Sequence, residues 1–124
     1  MSIRCPAALA LLALLALAGC GAPPPPSRAP AGLVGDWVDD YDIRYTISDS
    51  LWFQHPRSGY QILRWDKDTA GTFLVARNRP ENTANGGLYT RIDWVALPES
   101  PPWEWAFCLT TWDANSAAGA AAAA

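Results

Sequence analysis

From Leu33 onward, apolar and polar residues alternate over short stretches separated by turn-forming residues. Ile43, Tyr45 and Ile47 alternate with Arg44, Thr46 and Ser48. A period of two sends successive side chains to opposite faces, so this segment is predicted to be a half-buried strand. Leu33-Val34-Gly35-Asp36-Trp37-Val38 precedes it as an opening segment, and Leu51-Trp52-Phe53 comes after it as a short apolar run. His55-Pro56-Arg57-Ser58-Gly59 reads as a turn from its Pro and Gly. Tyr60 to Asp66 is the next predicted strand, with Gln61, Leu63 and Trp65 on one face. After the polar turn Asp66 to Gly71, Thr72 to Arg77 is rich in strand formers. Asn78 to Gly87 holds Pro80, three Asn and a Gly pair, and reads as a long exposed loop. Leu88 to Leu97 alternates again, with Leu88, Thr90, Ile92, Trp94 and Ala96 on one side. Pro98 to Pro102 breaks the pattern. Trp103 to Trp112 is the last strand, with Trp103, Trp105, Phe107 and Leu109 sharing a face.

No window of ten residues in this region carries a helical stripe. Six or seven short strands spaced roughly ten residues apart predict an all-β domain. The expected form is a small antiparallel meander, closed as a barrel or folded as a sandwich. Ile43, Tyr45, Ile47, Ile92, Trp94, Trp105 and Phe107 are the expected core. The domain runs over residues 33–113, 81 residues, and holds all seven Trp, four Tyr and three Phe of the chain. Large rings bury much area each, which suits a domain near the lower size limit for a core of its own.

The flanks obey different rules. Residues 114–124 are almost all Ala. Asp113, Asn115 or Ser116 can cap a short helix there, but so few residues are marginal as an isolated helix. Residues 22–32 carry Pro23 to Pro26 and Pro30, which forbid helix and internal sheet. Eleven residues near polyproline II make a tether reaching on the order of 30 Å. Ahead of it, Arg4 is followed by Ala7 to Ala18, an unbroken Ala-Leu run of 12 residues. A bilayer span needs about 20 apolar residues. The run therefore reads as the apolar core of a signal peptide over residues 1–19.

Leu17-Ala18-Gly19-Cys20, closing such a run, resembles the lipobox of bacterial lipoproteins. The resemblance covers about the first 21 residues. It implies cleavage after Gly19, a diacylglycerol on the Cys20 sulfur and acylation of the new amino terminus. Several acyl chains give stable attachment where one gives only marginal anchoring. Gly21, in place of the Asp that retains such proteins in the inner membrane of enteric bacteria, implies the outer membrane. Residues 20–32 are then a lipidated cysteine and its tether. Gly35-Asp36-Trp37 resembles the Gly-x-Trp signature that opens lipocalins, whose Trp plugs the barrel floor; the resemblance covers three residues.

Charge narrows the function. The chain has nine Lys and Arg against twelve Asp and Glu. With Arg4 gone, eight face twelve, a net charge of −4. The basic residues are not clustered, so a nucleic-acid partner is not expected.

Catalytic and metal chemistry find few residues. Asp36, Asp39, Asp40 and Asp42 lie within seven residues, but neither Asp36 nor Asp40 starts an EF-hand spacing, and the stretch reads as a solvated acidic turn. His55 is the one histidine, and no Gly-x-Ser-x-Gly elbow accompanies it. A zinc site needs several His or Cys ligands, and the domain offers His55 and Cys108. No catalytic residue, metal or cofactor is expected. Arg91 and Asp93 share a strand face and are expected to pair structurally. Among the rings, Trp52, Trp94, Trp103 and Trp112 are candidates for an exposed stacking surface. The expected function is a non-catalytic module binding an envelope glycan or small apolar ligand. The alternative is a structural protein that docks another envelope protein. Cys108 is the cysteine left after Cys5 departs and Cys20 is lipidated. An odd exported cysteine implies an intermolecular bond, a free thiol or a partner in chain beyond Ala124.

Overall fold

The computed structural model describes residues 27–124. The Ala-Leu run, Gly19, Cys20 and the Pro23 to Pro26 run lie outside the described residues. Seven strands succeed one another: β1 (Gly35–Val38), β2 (Arg44–Ile47), β3 (Leu51–Gln54), β4 (Ser58–Lys67), β5 (Thr72–Asn78), β6 (Tyr89–Ala96) and β7 (Trp105–Ala114). Each pairs antiparallel with the next, in the order β1 to β7. The expected all-β meander is the fold that forms.

The sheet curls into a half-barrel, and the apolar residues of each strand choose the inside of the curl. Tyr45, Ile47, Trp52, Ile62, Trp65, Leu74, Ala76 and Ile92 form the buried core, with Leu33 beneath β1. Rings carry the closure. Trp37 of β1 meets Trp105 of β7 edge to face at 5.2 Å, and Trp52 meets Phe107 at 5.1 Å. The backbones of β1 and β7 are not neighbours in the sheet, so the seam between the first and last strands is made of side chains. Of the expected core residues, Tyr45, Ile47 and Ile92 are buried outright. Ile43, Trp94, Trp105 and Phe107 are partly buried and pack against that core.

Strand β4 departs from simple alternation. Its pairing with β5 slips between Ile62 and Arg64. One extra residue at a bulge reverses the facing of every residue after it. Ile62 and Trp65 therefore both point inward, while Gln61 and Leu63 lie outside. The expected face of Gln61, Leu63 and Trp65 is corrected accordingly.

The outer face of the curl carries its own small cluster. Helix α1 (Ala117–Ala121) starts at Ser116, whose Oγ accepts the N–H of Gly119 at 3.0 Å. Five residues do not hold a helix by themselves. Here Ala120 is buried against Phe73 and Val75, with Tyr89 and Ala114 alongside. Arg91 fastens the helix end. Its guanidinium donates to the Ala121 carbonyl at 2.8 Å, to Asp68 at 2.8 Å and to both oxygens of Asp93 at 2.9 and 2.7 Å. It also lies over the Phe73 ring, 3.9 Å from the centroid. Asp93 further accepts the Thr110 hydroxyl from β7. The expected Arg91–Asp93 pair forms, and Asp68 and α1 join it.

A second buried polar group ties down the loop after β5. Asn78 donates to the carbonyls of Asn85 at 2.9 Å and Trp112 at 2.8 Å, and accepts the Thr90 hydroxyl. The start of the expected exposed loop is thus buried.

These carboxylates make the fold acid-sensitive. A hydrogen bond from Arg91 holds the Asp68 carboxyl below its usual range. Burial pushes Asp93 up, but Arg91 and Thr110 outweigh it and leave it lowered. Carboxyls lowered in the folded state add stability above their unfolded value of about 3.9, which is lost as pH falls through the folded values. The melting temperature is therefore expected to be level near neutrality and to drop below about pH 4. Arg91→Met is expected to flatten that drop, because the lowering depends on the guanidinium. A melting curve of the variant with the same acid slope as the parent would refute the assignment.

Candidate functional site

Two segments that are distant in sequence, the β1–β2 hairpin and the approach to β7, meet at one end of the seam. Residue Trp37 comes from β1, and Tyr45 comes from β2. Asp39, Asp40 and Tyr41 form the turn between them. Trp103, Glu104, Trp105 and Phe107 come from the approach to β7 and its first residues. Together they line a cleft of about 460 Å³.

The turn is built by Asp39. One carboxylate oxygen accepts the N–H groups of Tyr41 at 2.8 Å and Ile43 at 2.9 Å. The other accepts the Tyr45 hydroxyl at 2.9 Å. Burial raises the Asp39 carboxyl, yet these three donors together hold it below its ordinary value, so it is ionised at neutral pH. Burial first, and the Asp39 carboxylate second, push the Tyr45 phenol well above its usual range, so it stays a neutral donor. Asp42 closes the turn at φ 62°, a left-handed conformation that Asp tolerates. The acidic stretch is therefore a hairpin device as well as a source of charge. Among the described residues, no three of His, Cys, Asp and Glu gather as a metal site.

The rings pack edge to face across the seam. Tyr45 lies 5.4 Å from Phe107, and Trp37 is pinned by its indole N–H, which donates to the Leu33 carbonyl at 2.8 Å. The indole N–H of Trp105 is buried without a partner among the described residues. Trp103 stands at the rim, 45% exposed. Aromatic rings and carboxylates thus line the cleft together, with no His, Cys, Ser or Thr among them. Such a wall suits binding by stacking and hydrogen bonding.

The four tryptophans expected to be candidates fall in different places. Trp52 is 1% exposed and sits in the core, so it is removed from the candidate surface. In β3 it pairs with Ile47 of β2 and Tyr60 of β4, so the strand turns Trp52 inward, where it meets Tyr45, Trp105 and Phe107. Trp94 packs against the core. Trp112 is 50% exposed, away from the cleft. Only Trp103 of the four lines it. The cleft's other rings, Trp37, Tyr41, Tyr45, Trp105 and Phe107, are absent from the expected surface; the shared face of Trp103, Trp105 and Phe107 is the sequence signal that points to two of them.

The remaining residues singled out in the sequence lie elsewhere. His55 is exposed, its Nε2 2.8 Å from the Thr46 hydroxyl, which donates to Asp36 at 2.6 Å. No carboxylate orients the imidazole directly among the described residues. Cys108 is an exposed, free thiol on the outer face, opposite Trp105 and Phe107. It borders a second groove of about 630 Å³ with Arg91, Asp93, Thr110 and Ala124. No helix among the described residues is long and apolar enough to cross a membrane.

No family model matches the chain, and no curated protein or solved structure does so either.

Proposed function

We propose that the protein is a lipid-anchored, non-catalytic binding module of the bacterial cell envelope, held through Cys20 at the outer membrane, whose cleft takes a glycan. One observation carries the ligand: aromatic rings and carboxylates face the same cleft. Rings stack on the apolar faces of sugars, and carboxylates accept their hydroxyls. A wholly apolar ligand fits less well, since it would leave the Asp40 and Glu104 carboxylates desolvated without a partner.

The anchor and the ligand are tested separately. Cys20→Ser is expected to move the protein out of the membrane fraction or leave its leader uncut, and the parent is expected to carry acyl mass. An unchanged fractionation with no acyl mass on the parent would refute the anchor. For the ligand, the protein is expected to bind purified cell-wall glycan, and Trp103→Ala to weaken that binding by about 1–3 kcal/mol, as for loss of one stacked ring. Equal retention of parent and variant would remove the cleft from the interaction.

A further inference from the structure

We infer that the glycan of this cleft carries free, protonated amino groups; the inference rests on the glycan-binding reading above and narrows its ligand class. Asp39, Asp40 and Glu104 line the cleft, and no Arg, Lys or His does. The ion pairs among the described residues join Arg64 to Asp66 and Arg91 to Asp68 and Asp93, so none of the three cleft carboxylates is neutralised. Asp39 is held ionised by the backbone of its own turn and by Tyr45.

The two kinds of wall ask for the same ligand group. An ammonium has three donors and no acceptor, whereas a carboxylate only accepts. The face of an aromatic ring also attracts a cation, most strongly when the ring is Trp. Trp37, Trp103 and Trp105 all line this cleft. A neutral N-acetylated sugar would use the rings but leave the field of three carboxylates unanswered. An aminated sugar answers both.

The test titrates the full chain, purified in a nonionic detergent, by its tryptophan fluorescence. The probes are a β-1,4-linked glucosamine tetramer, the same tetramer fully N-acetylated, and tetralysine. The amine form is expected to bind about tenfold more tightly than the acetylated form, the worth of one cation over a ring. Added salt is expected to shrink that preference, because screening weakens charge pairs at an open cleft. Asp40→Asn with Glu104→Gln keeps the shape and removes two charges; it is expected to abolish the preference, the amine tetramer losing about tenfold more affinity than the acetylated one. Asp39 is left intact because the hairpin depends on it. Equal affinity for the two tetramers would overturn the charge assignment while leaving glycan binding standing. Tetralysine binding as tightly as the amine tetramer would overturn the sugar and assign the cleft to basic peptides. Binding of neither tetramer would overturn both readings.

Discussion

Trp52→Ala is expected to leave the domain at the edge of unfolding. The indole is 1% exposed and touches the rings of Tyr45, Trp105 and Phe107. Removing a buried Trp costs about 3–5 kcal/mol, partly lost transfer energy and partly the cavity left behind. Small domains have only about 5–15 kcal/mol in total. This site has an additional reason to be costly. Trp52 holds β3 against β7, so its loss loosens the seam as well as the core. Urea unfolding followed by far-ultraviolet circular dichroism measures the effect. Trp112→Ala, at a ring half in solvent, is the control and is expected within about 0.5 kcal/mol of the parent. Matching midpoints for the two variants would show that Trp52 is not a keystone of the core.

Arg91→Met is the second large effect expected. The arginine is 4% exposed and holds two carboxylates, a helix-end carbonyl and an aromatic face. Removing one partner of a buried ionic pair costs about 3–5 kcal/mol, because the other charge is left behind. Asp68 and Asp93 keep 39% and 29% of their side chains in water, which softens the penalty toward about 3 kcal/mol. For a domain this small that is a fall in melting temperature of roughly 12–24 °C. Arg91→Lys keeps the charge but not the planar fork, and is expected to fall between. A shift of only two or three degrees for Arg91→Met would mean that α1 and the outer cluster stand without it.

Much of this architecture is legible in the sequence. The alternation in residues 43–48, 88–97 and 103–112 marks three strands and the correct inward faces for Tyr45, Ile92, Trp105 and Phe107. Arg91 and Asp93, two apart on one strand, announce their own pairing. The rest is hidden for specific physical reasons. Leu51-Trp52-Phe53 is too short a run to show which ring turns inward, so periodicity leaves Trp52 among the candidates for the surface. A bulge carries no signature in composition, so alternation assigns Leu63 to the wrong face. Asp68 and the Ala121 carbonyl reach Arg91 only because β5 and α1 bring them there. The cleft depends on the curl that lays β1 beside β7, and local periodicity contains no information about curl. Asn78 reads as loop because Asn usually is; its burial comes from three bonds, to Asn85, Trp112 and Thr90, that exist only in the folded chain.

The unbroken β1-to-β7 order has a kinetic consequence. Every backbone pairing joins neighbours in the chain, so each hairpin can zip onto the last after closing only a short loop. Folding rates rise as contacting residues lie closer in sequence, and a pure meander is among the most local ways to build a sheet. The exception is the ring seam, in which Trp37, Tyr45 and Trp52 meet Trp105 or Phe107 of β7 and which waits for all seven strands. It is sealed by rings instead of a hydrogen-bonded ladder, so this last step, the one that orders the longest stretch of chain, demands no strand register.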